Sequence, residues 1–283
     1  MSIFQDKLNN FRAHSVAMYS TWIYHKPTRI LFDAGEGLSL AMKDFIFGID
    51  KVFISHGHYD HIGGLMGMLF ARGSARGSKD KPLTIYYPRG CQSIENIRRF
   101  VRAESLFPYD LQWRELSPGD TVQLGKNKRV EAFKVEHSYG LCLGYKIIET
   151  RSRLKESLQG KTGQEISDYS RAHGSGSVKE SYEKIVMAYC GDCAPVKTSS
   201  VKGAEVLIHE ATFLEVGDRA GKGHSSALEA IRAAQDADVG SLILVHVSSR
   251  YTDIKIKISE AAVIAGWKKP LAVLVGIHLM EIQ

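Results

Sequence analysis

The chain has 283 residues, 44% apolar and 24% charged, which is enough to bury a core and excludes a disordered, collagenous or coiled-coil chain. Lysine and arginine number 37 against 31 acidic residues, and the net charge of +6 suits an anionic partner without identifying one. Four cysteines are too few for a disulfide scaffold, no apolar run approaches the ~20 residues of a membrane span, and Met1 to Asn10 carries no secretory pattern, so the expectation is a cytoplasmic globular protein with no membrane contact.

Trp22 to Tyr24 and Arg29 to Phe32 read as strands joined by the Lys26-Pro27-Thr28 turn. A Gly-rich break at Asp33 to Gly37 leads into a helical stretch, Leu38 to Phe47. Val52 to Ser55 is a buried strand, Gly63 to Phe70 a helix, Thr84 to Tyr87 a strand and Ser93 to Ala103 a helix. Strands follow at Thr121 to Leu124, Val130 to Val135 and Leu143 to Ile148. The polar stretch from Thr150 to Lys184 reads as a surface excursion, part helix and part loop, within a single domain spanning 1–283. Strands resume at Ile185 to Tyr189, Val206 to Ile208, Leu242 to His246 and Leu271 to Val275, with helices at Ala227 to Ala237 and Ser259 to Ala265. Strands mixed with helices on both sides of the excursion indicate a layered α/β protein.

The strongest chemical signal is Ser55-His56-Gly57-His58-Tyr59-Asp60-His61, three imidazoles and a carboxylate at the end of an apolar strand. Zn²⁺ takes both donor types, and His56 and His58 at i and i+2 of an extended segment point the same way. Asp60 and His61 can reach a neighbouring ion, and two ions about 3.5–4 Å apart can clamp the oxygens of a displacement. Such a pair needs more donors. His137 closes one strand, Asp192 follows another with a carboxylate able to bridge, and His246 ends a third. Zn²⁺ is the default for a His-rich site, while Mn²⁺ or Fe tolerates the same donor mix.

Those residues, with Leu31 to Gly37, Gly144-Tyr145-Lys146, Gly191-Asp192, His209-Glu210-Ala211-Thr212-Phe213, Gly223-His224-Ser225 and His246-Val247-Ser248-Ser249-Arg250-Tyr251, resemble the metallo-β-lactamase superfamily and, more narrowly, ribonuclease Z, the tRNA 3′-processing endonucleases. The resemblance implies a four-layer αβ/βα sandwich with a dinuclear site at one edge. It assigns His56, His58 and His137 to one zinc, Asp60, His61 and His246 to the other, and Asp192 to both. It pairs Glu210 with His224, the carboxylate orienting an imidazole that assists the leaving 3′-oxygen. It further implies precursor tRNA as partner, metal-activated hydroxide as nucleophile with Asp60 orienting it, and a homodimer. Arg250 and Tyr251 become candidate phosphate or base contacts.

The departures are local. Met1 to Ser20 shows no clear opening strand, Cys193 stands where Thr is usual, Val247 where Phe is usual, and no Gly-Pro-rich arm is recognisable. The missing arm gives weight to a second reading, a related enzyme for small or cyclic nucleotide phosphodiesters. A lactam or thioester hydrolase fits less well, since Asp60 with a bridging Asp192 suits phosphoester chemistry; a non-enzymatic module would bind metal or RNA without turnover. Cys190-x-x-Cys193 reads as structural rather than a zinc knuckle or redox pair. Arg72, Arg76, Lys79 and Lys81 form a basic loop that either steers phosphates or is simply solvated.

Overall fold

Short runs of branched and aromatic residues alternate between two apolar surroundings, and that alternation builds the layers. The structure, a computed structural model, describes residues 3–74, 81–104, 107–219, 221 and 223–282. One sheet holds β1 (Phe11–Val16), β2 (Ser20–His25), β3 (Ile30–Phe32), β4 (Lys51–Phe53), β5 (Leu83–Pro88) and β6 (Leu111–Leu116), in that spatial order. The other holds β7 (Thr121–Gln123), β8 (Lys128–Val135), β9 (Cys142–Leu154), β10 (Lys179–Tyr189), β11 (Leu207–Glu210), β12 (Leu242–Val245), β13 (Leu271–Val275) and β14 (His278–Ile282), again as consecutive neighbours. Strands β3 to β6 run parallel, as do β10 to β13, while hairpins supply the antiparallel flanks.

The helices are α1 (Ile3–Leu8), α2 (Leu38–Met42), α3 (Tyr59–Ile62), α4 (Leu65–Gly73), α5 (Gln92–Glu104), α6 (Gly163–His173), α7 (Thr198–Val201), α8 (Ala227–Asp236) and α9 (Ile254–Ala265). Phe32, Phe53, Tyr145, Tyr189, Ile208 and Val245 pack between the sheets. Their chain neighbours Leu31, Val52 and Ile54 turn the other way onto α2, α4 and α5, and Leu207 and Leu244 turn onto α7, α8 and α9. Strands buried on both faces read as continuous apolar runs, which is why they were visible in the sequence. The result is helix, sheet, sheet, helix: the four-layer αβ/βα sandwich.

Four expectations need correction. The first twenty residues hold α1 and a full strand, β1, paired with β2 from Phe11↔His25 to Val16↔Ser20. Strands β6 and β14 were not expected at all. The polar excursion begins and ends as strand, because β9 and β10 continue pairing out to Leu154↔Lys179, and α6 crosses its tip behind a Thr162/Glu165 capping box. Arg72 is not a loop cation: it is fully buried and donates to the Ile46 and Lys81 carbonyls, tying α4 to its neighbours. Arg76 and Lys79 lie outside the described residues. Among the described residues, no helix is long and apolar enough to cross a membrane.

Candidate metal centre

The parallel strands of both sheets deliver their following loops to one edge of the sandwich, where ligands of open α/β sheets bind. After β4 the chain runs on through Ile54 and Ser55 to His56, and His58 stands just before α3, with Asp60 and His61 in its single turn. Gly57 is confined: a Cβ there would lie 2.8 Å from both Cys91 Sγ and Tyr139 Oη. Gly64 lets the α3–α4 junction close on the loop after β3, since its Cβ would lie 2.0 Å from the Gly35 carbonyl. His137 follows β8, Asp192 follows β10, and His246 follows β12 with a left-handed φ of 59°. Such a backbone costs on the order of 1–3 kcal/mol in a non-glycine residue and is typical of functional sites.

The side chains form two sets sharing one carboxylate. In the first, His56 Nε2 and His137 Nε2 lie 3.0 and 3.3 Å from His58 Nδ1, and Asp192 Oδ2 is 3.8 Å from His56 Nε2. In the second, His246 Nε2 is 3.0 Å from Asp60 Oδ2 and 3.3 Å from Asp192 Oδ2, while His61 Nε2 is 3.2 Å from Asp192 Oδ1. Within each set the donor atoms lie within 4.8 Å of one another.

The outer nitrogens explain the inner ones. His137 Nδ1 faces the Gly223 carbonyl at 2.6 Å, His61 Nδ1 faces Asp33 Oδ2 at 2.7 Å, His246 Nδ1 faces Thr212 Oγ1 at 2.9 Å and His56 Nδ1 faces Ser55 Oγ at 3.0 Å. Acceptors outside draw the protons outward, so the inner nitrogens present lone pairs to one another. Lone pairs at 3.0–3.3 Å repel unless a cation lies among them. His61 Nε2 and Asp192 Oδ1 are buried and make no hydrogen bond. Burial, then the neighbouring His61, holds His56 well below its ordinary pKa. Burial would raise Asp192, but His246 and His61 outweigh it and keep the carboxyl well below the usual range. Imidazoles gathered around a shared carboxylate are the donor set of a borderline divalent cation, and the residues fit one in each set.

Beside the second set lies a hydrogen-bonded pair. Glu210, fully buried at the end of β11, accepts from His224 Nδ1 at 2.7 Å and from the Cys193 and Thr212 amides at 3.2 and 2.8 Å. Burial opposes protonation of His224, but this bond and the Glu210 charge outweigh it and raise the imidazole's pKa. Both Glu210 oxygens are thereby occupied, so the Glu210, His224 and His246 cluster is a proton-bearing pair next to a ligand set rather than a third cation site. Arg250 is exposed, with its guanidinium 5.3 Å from the Phe213 ring, which in turn is 6.3 Å from His224. Tyr251 donates its hydroxyl to Asp218 at 2.5 Å. Cys190, Cys193 and His209 also cluster, but His209 Nδ1 faces the Glu210 carbonyl and its Nε2 accepts from the Val196 amide, leaving no free ligand nitrogen. These cysteines are fully buried and belong to the packing.

Sequence reasoning gave no role to Asp33, Ser55, Thr212 or Tyr139. Asp33 and Thr212 each follow an apolar strand closely, the signal that singled out Asp192 and His246. Tyr139 gave none; its ring packs 4.5 Å from His58 while its hydroxyl meets Ser93 Oγ at 2.7 Å.

Comparison with known proteins agrees with this architecture. A beta-lactamase superfamily domain matches residues 28–155. Ribonuclease BN of Salmonella typhimurium is 32% identical over 248 residues, covering 79% of each chain. Human tRNase Z, short form, superposes with a TM-score of 0.65 at 19% identity, over 96% of this chain and 99% of that one. The metallo-beta-lactamase fold protein YhfI from Bacillus subtilis does so with a TM-score of 0.65 at 18% identity, over the same shares.

Proposed function

This chain belongs to the metallo-β-lactamase superfamily as a homologue of ribonuclease BN, and on that premise we propose that it is a two-metal phosphodiesterase that cleaves precursor tRNA at the 3′ trailer. The observation that carries the reading is the pairing of two cation-sized donor sets on one shared carboxylate, Asp192, with a raised-pKa imidazole, His224, beside them.

His56, His58, His137 and Asp192 would hold one cation, and Asp60, His61, His246 and Asp192 the other. Zinc is the expected metal on donor type. When bound, two such cations lower the pKa of a water and offset charge growing on the phosphoryl oxygens. Asp60 does two things. It completes the second set, and as a carboxylate held below its ordinary pKa, against burial, by His246 and His61 beside it, it accepts a hydrogen bond from the attacking water. The Met18 amide, 3.1 Å from Asp60 Oδ2, fixes its orientation. His224, positively biased by Glu210, gives its proton to the departing ribose 3′-oxygen. The products are a 3′-hydroxyl on the upstream RNA and a 5′-phosphate on the trailer. Arg250, on the His224 side, is placed to meet a flanking phosphate.

The second reading, hydrolysis of small or cyclic nucleotide phosphodiesters by the same centre, draws on the excursion, where α6 lies at the tip of paired strands and no proline occurs between 150 and 184. Rates on precursor tRNA, cyclic AMP and bis(p-nitrophenyl) phosphate decide between them. For the first reading, precursor tRNA is cut at its 3′ trailer, and His224→Ala lowers that rate by about 10²–10⁴-fold, the usual worth of a general acid. The loss is much smaller on bis(p-nitrophenyl) phosphate, whose leaving group needs no proton. Full activity of the variant on precursor tRNA would remove His224 from the mechanism. Turnover of the small esters alone would move the substrate to the second reading.

A further inference from the structure

His224 and His246 come from different elements yet lie nearly parallel, 9° apart with ring centres 5.7 Å apart. One proposed role is proton donation and the other cation binding, and a single buried oxygen sits between the two rings. Thr212 Oγ1 is 2.9 Å from His246 Nδ1 and 3.2 Å from His224 Nδ1. Its backbone is pinned on both sides: the amide donates to Glu210 Oε2 at 2.8 Å, and the carbonyl accepts from the Ser248 amide at 3.2 Å. Thr212 therefore has little freedom to follow either ring; the rings must adjust to it.

We propose that the Thr212 hydroxyl is a positioning group that orients a cation ligand and the leaving-group acid together. The inference rests on the functional reading above and deepens it. A hydroxyl oxygen has two lone pairs and can accept from both imidazoles. When His246 Nε2 faces the cation set, its proton is on Nδ1, and Thr212 Oγ1 is the acceptor at that nitrogen. The His224 Nδ1 proton points to Glu210 Oε1 at 2.7 Å, with Thr212 Oγ1 as its second, longer acceptor. Glu210 thus sets the charge of His224, while Thr212 fixes its distance and tilt relative to the second donor set. Valine in place of Thr212 keeps the shape but leaves the His246 Nδ1 proton buried without an acceptor; serine keeps the oxygen.

The test is zinc titration of the metal-stripped protein against a chromophoric chelator, for wild type, Thr212→Val and Thr212→Ser. A partner of this kind is worth about 10–100-fold in metal affinity. The expected result is one of two zinc equivalents weakened by about that factor in Thr212→Val, the other unchanged, and both near wild type in Thr212→Ser. At saturating zinc, Thr212→Val lowers kcat on precursor tRNA and leaves KM in place, and Thr212→Ser restores kcat. Two equivalents of wild-type affinity in Thr212→Val would overturn the proposal. So would a Thr212→Ser protein as impaired as Thr212→Val, since packing and not the oxygen would then be at stake. If Thr212→Val does not fold, Thr212→Ala against Thr212→Ser makes the same comparison. A wild-type chain that takes up no zinc would instead sink the metal-centre reading itself.

Discussion

Asp33 shows how much of the centre depends on a group that binds no cation. Its Oδ1 accepts from the Ser55 amide at 2.7 Å. Its Oδ2 accepts from Ser55 Oγ at 2.8 Å, His61 Nδ1 at 2.7 Å and Tyr189 Oη at 2.5 Å. Because Ser55 Oγ spends its proton on Asp33, it can only accept from His56 Nδ1. One carboxylate therefore fixes the proton position on a ligand of each set: His61 directly and His56 through a serine. Asp33→Asn separates that role from backbone effects, since Asp33 has a φ of 55° and asparagine tolerates the left-handed region equally well. Whichever way round it sits, the amide turns an N–H toward a group that donates, the Ser55 amide or His61 Nδ1. The expected outcome is loss of about 10–100-fold in affinity for both metal equivalents, read by the same zinc titration, with a lower thermal midpoint. Unchanged binding would place the control of the two imidazoles elsewhere. The contrast with the histidines is instructive about sequence reading. His56, His58 and His61 stand out because three imidazoles in six residues have little other use, and His137, Asp192 and His246 follow from counting strand-terminal donors. An aspartate before Ala34-Gly35 looks like any turn residue, and only its four hydrogen bonds, from three other residues, reveal it.

Among the strands, the ones missing from the sequence reading share a physical cause. β1, β6 and β14 are edge strands, and each carries a histidine or charged residues along a half-buried face, so neither alternation nor an apolar run marks them. The outer halves of β9 and β10 are held together differently. Arg153 on β9 pairs with Glu180 on β10, Arg129 on β8 reaches Glu183 on β10, and Arg151 on β9 reaches Glu205 just before β11, so ion pairs replace apolar contact there. A reading that follows hydrophobic period stops where the ion pairs begin. The β1–β2 hairpin also carries a titration. His25, against Phe11 and 2.7 Å from Thr28 Oγ1, is lowered to about 4 by burial and then by the Lys128 charge. In the unfolded chain it titrates near the ordinary 6.5. Above that value both states are neutral and the difference costs nothing. Below it the unfolded chain takes up the proton first, so His25 draws down stability as pH falls from about 6.5 to 4. Urea unfolding at pH 7.5 and pH 5 is expected to show a larger loss of midpoint in wild type than in His25→Gln. Equal losses would mean that His25 gains its proton without unfolding the hairpin around it.

At the scale of the molecule, a layered α/β protein was legible because both sheets have parallel, doubly buried strands; the four-layer arrangement came from the family resemblance, and the pairing order of strands far apart in sequence was not legible. That order is what brings the loops after β4, β8, β10 and β12 to one edge, so that the centre exists only in the assembled sandwich. The same scale decides the substrate. A charge of +6 counts for little toward a small ester, which meets only the two donor sets and their immediate neighbours. A folded RNA instead lays several phosphates across the surface and releases counterions from each. For about three phosphate contacts, the linear dependence of log K on log salt gives a loss of affinity of about 40-fold between 50 and 200 mM salt. The expected outcome is thus a KM for precursor tRNA that climbs steeply with potassium chloride, while KM for bis(p-nitrophenyl) phosphate scarcely moves. Parallel, shallow dependences for both would show that no phosphate beyond the scissile one is engaged. In that case the small phosphodiesters, and not RNA, are what the positive surface has to be reconciled with.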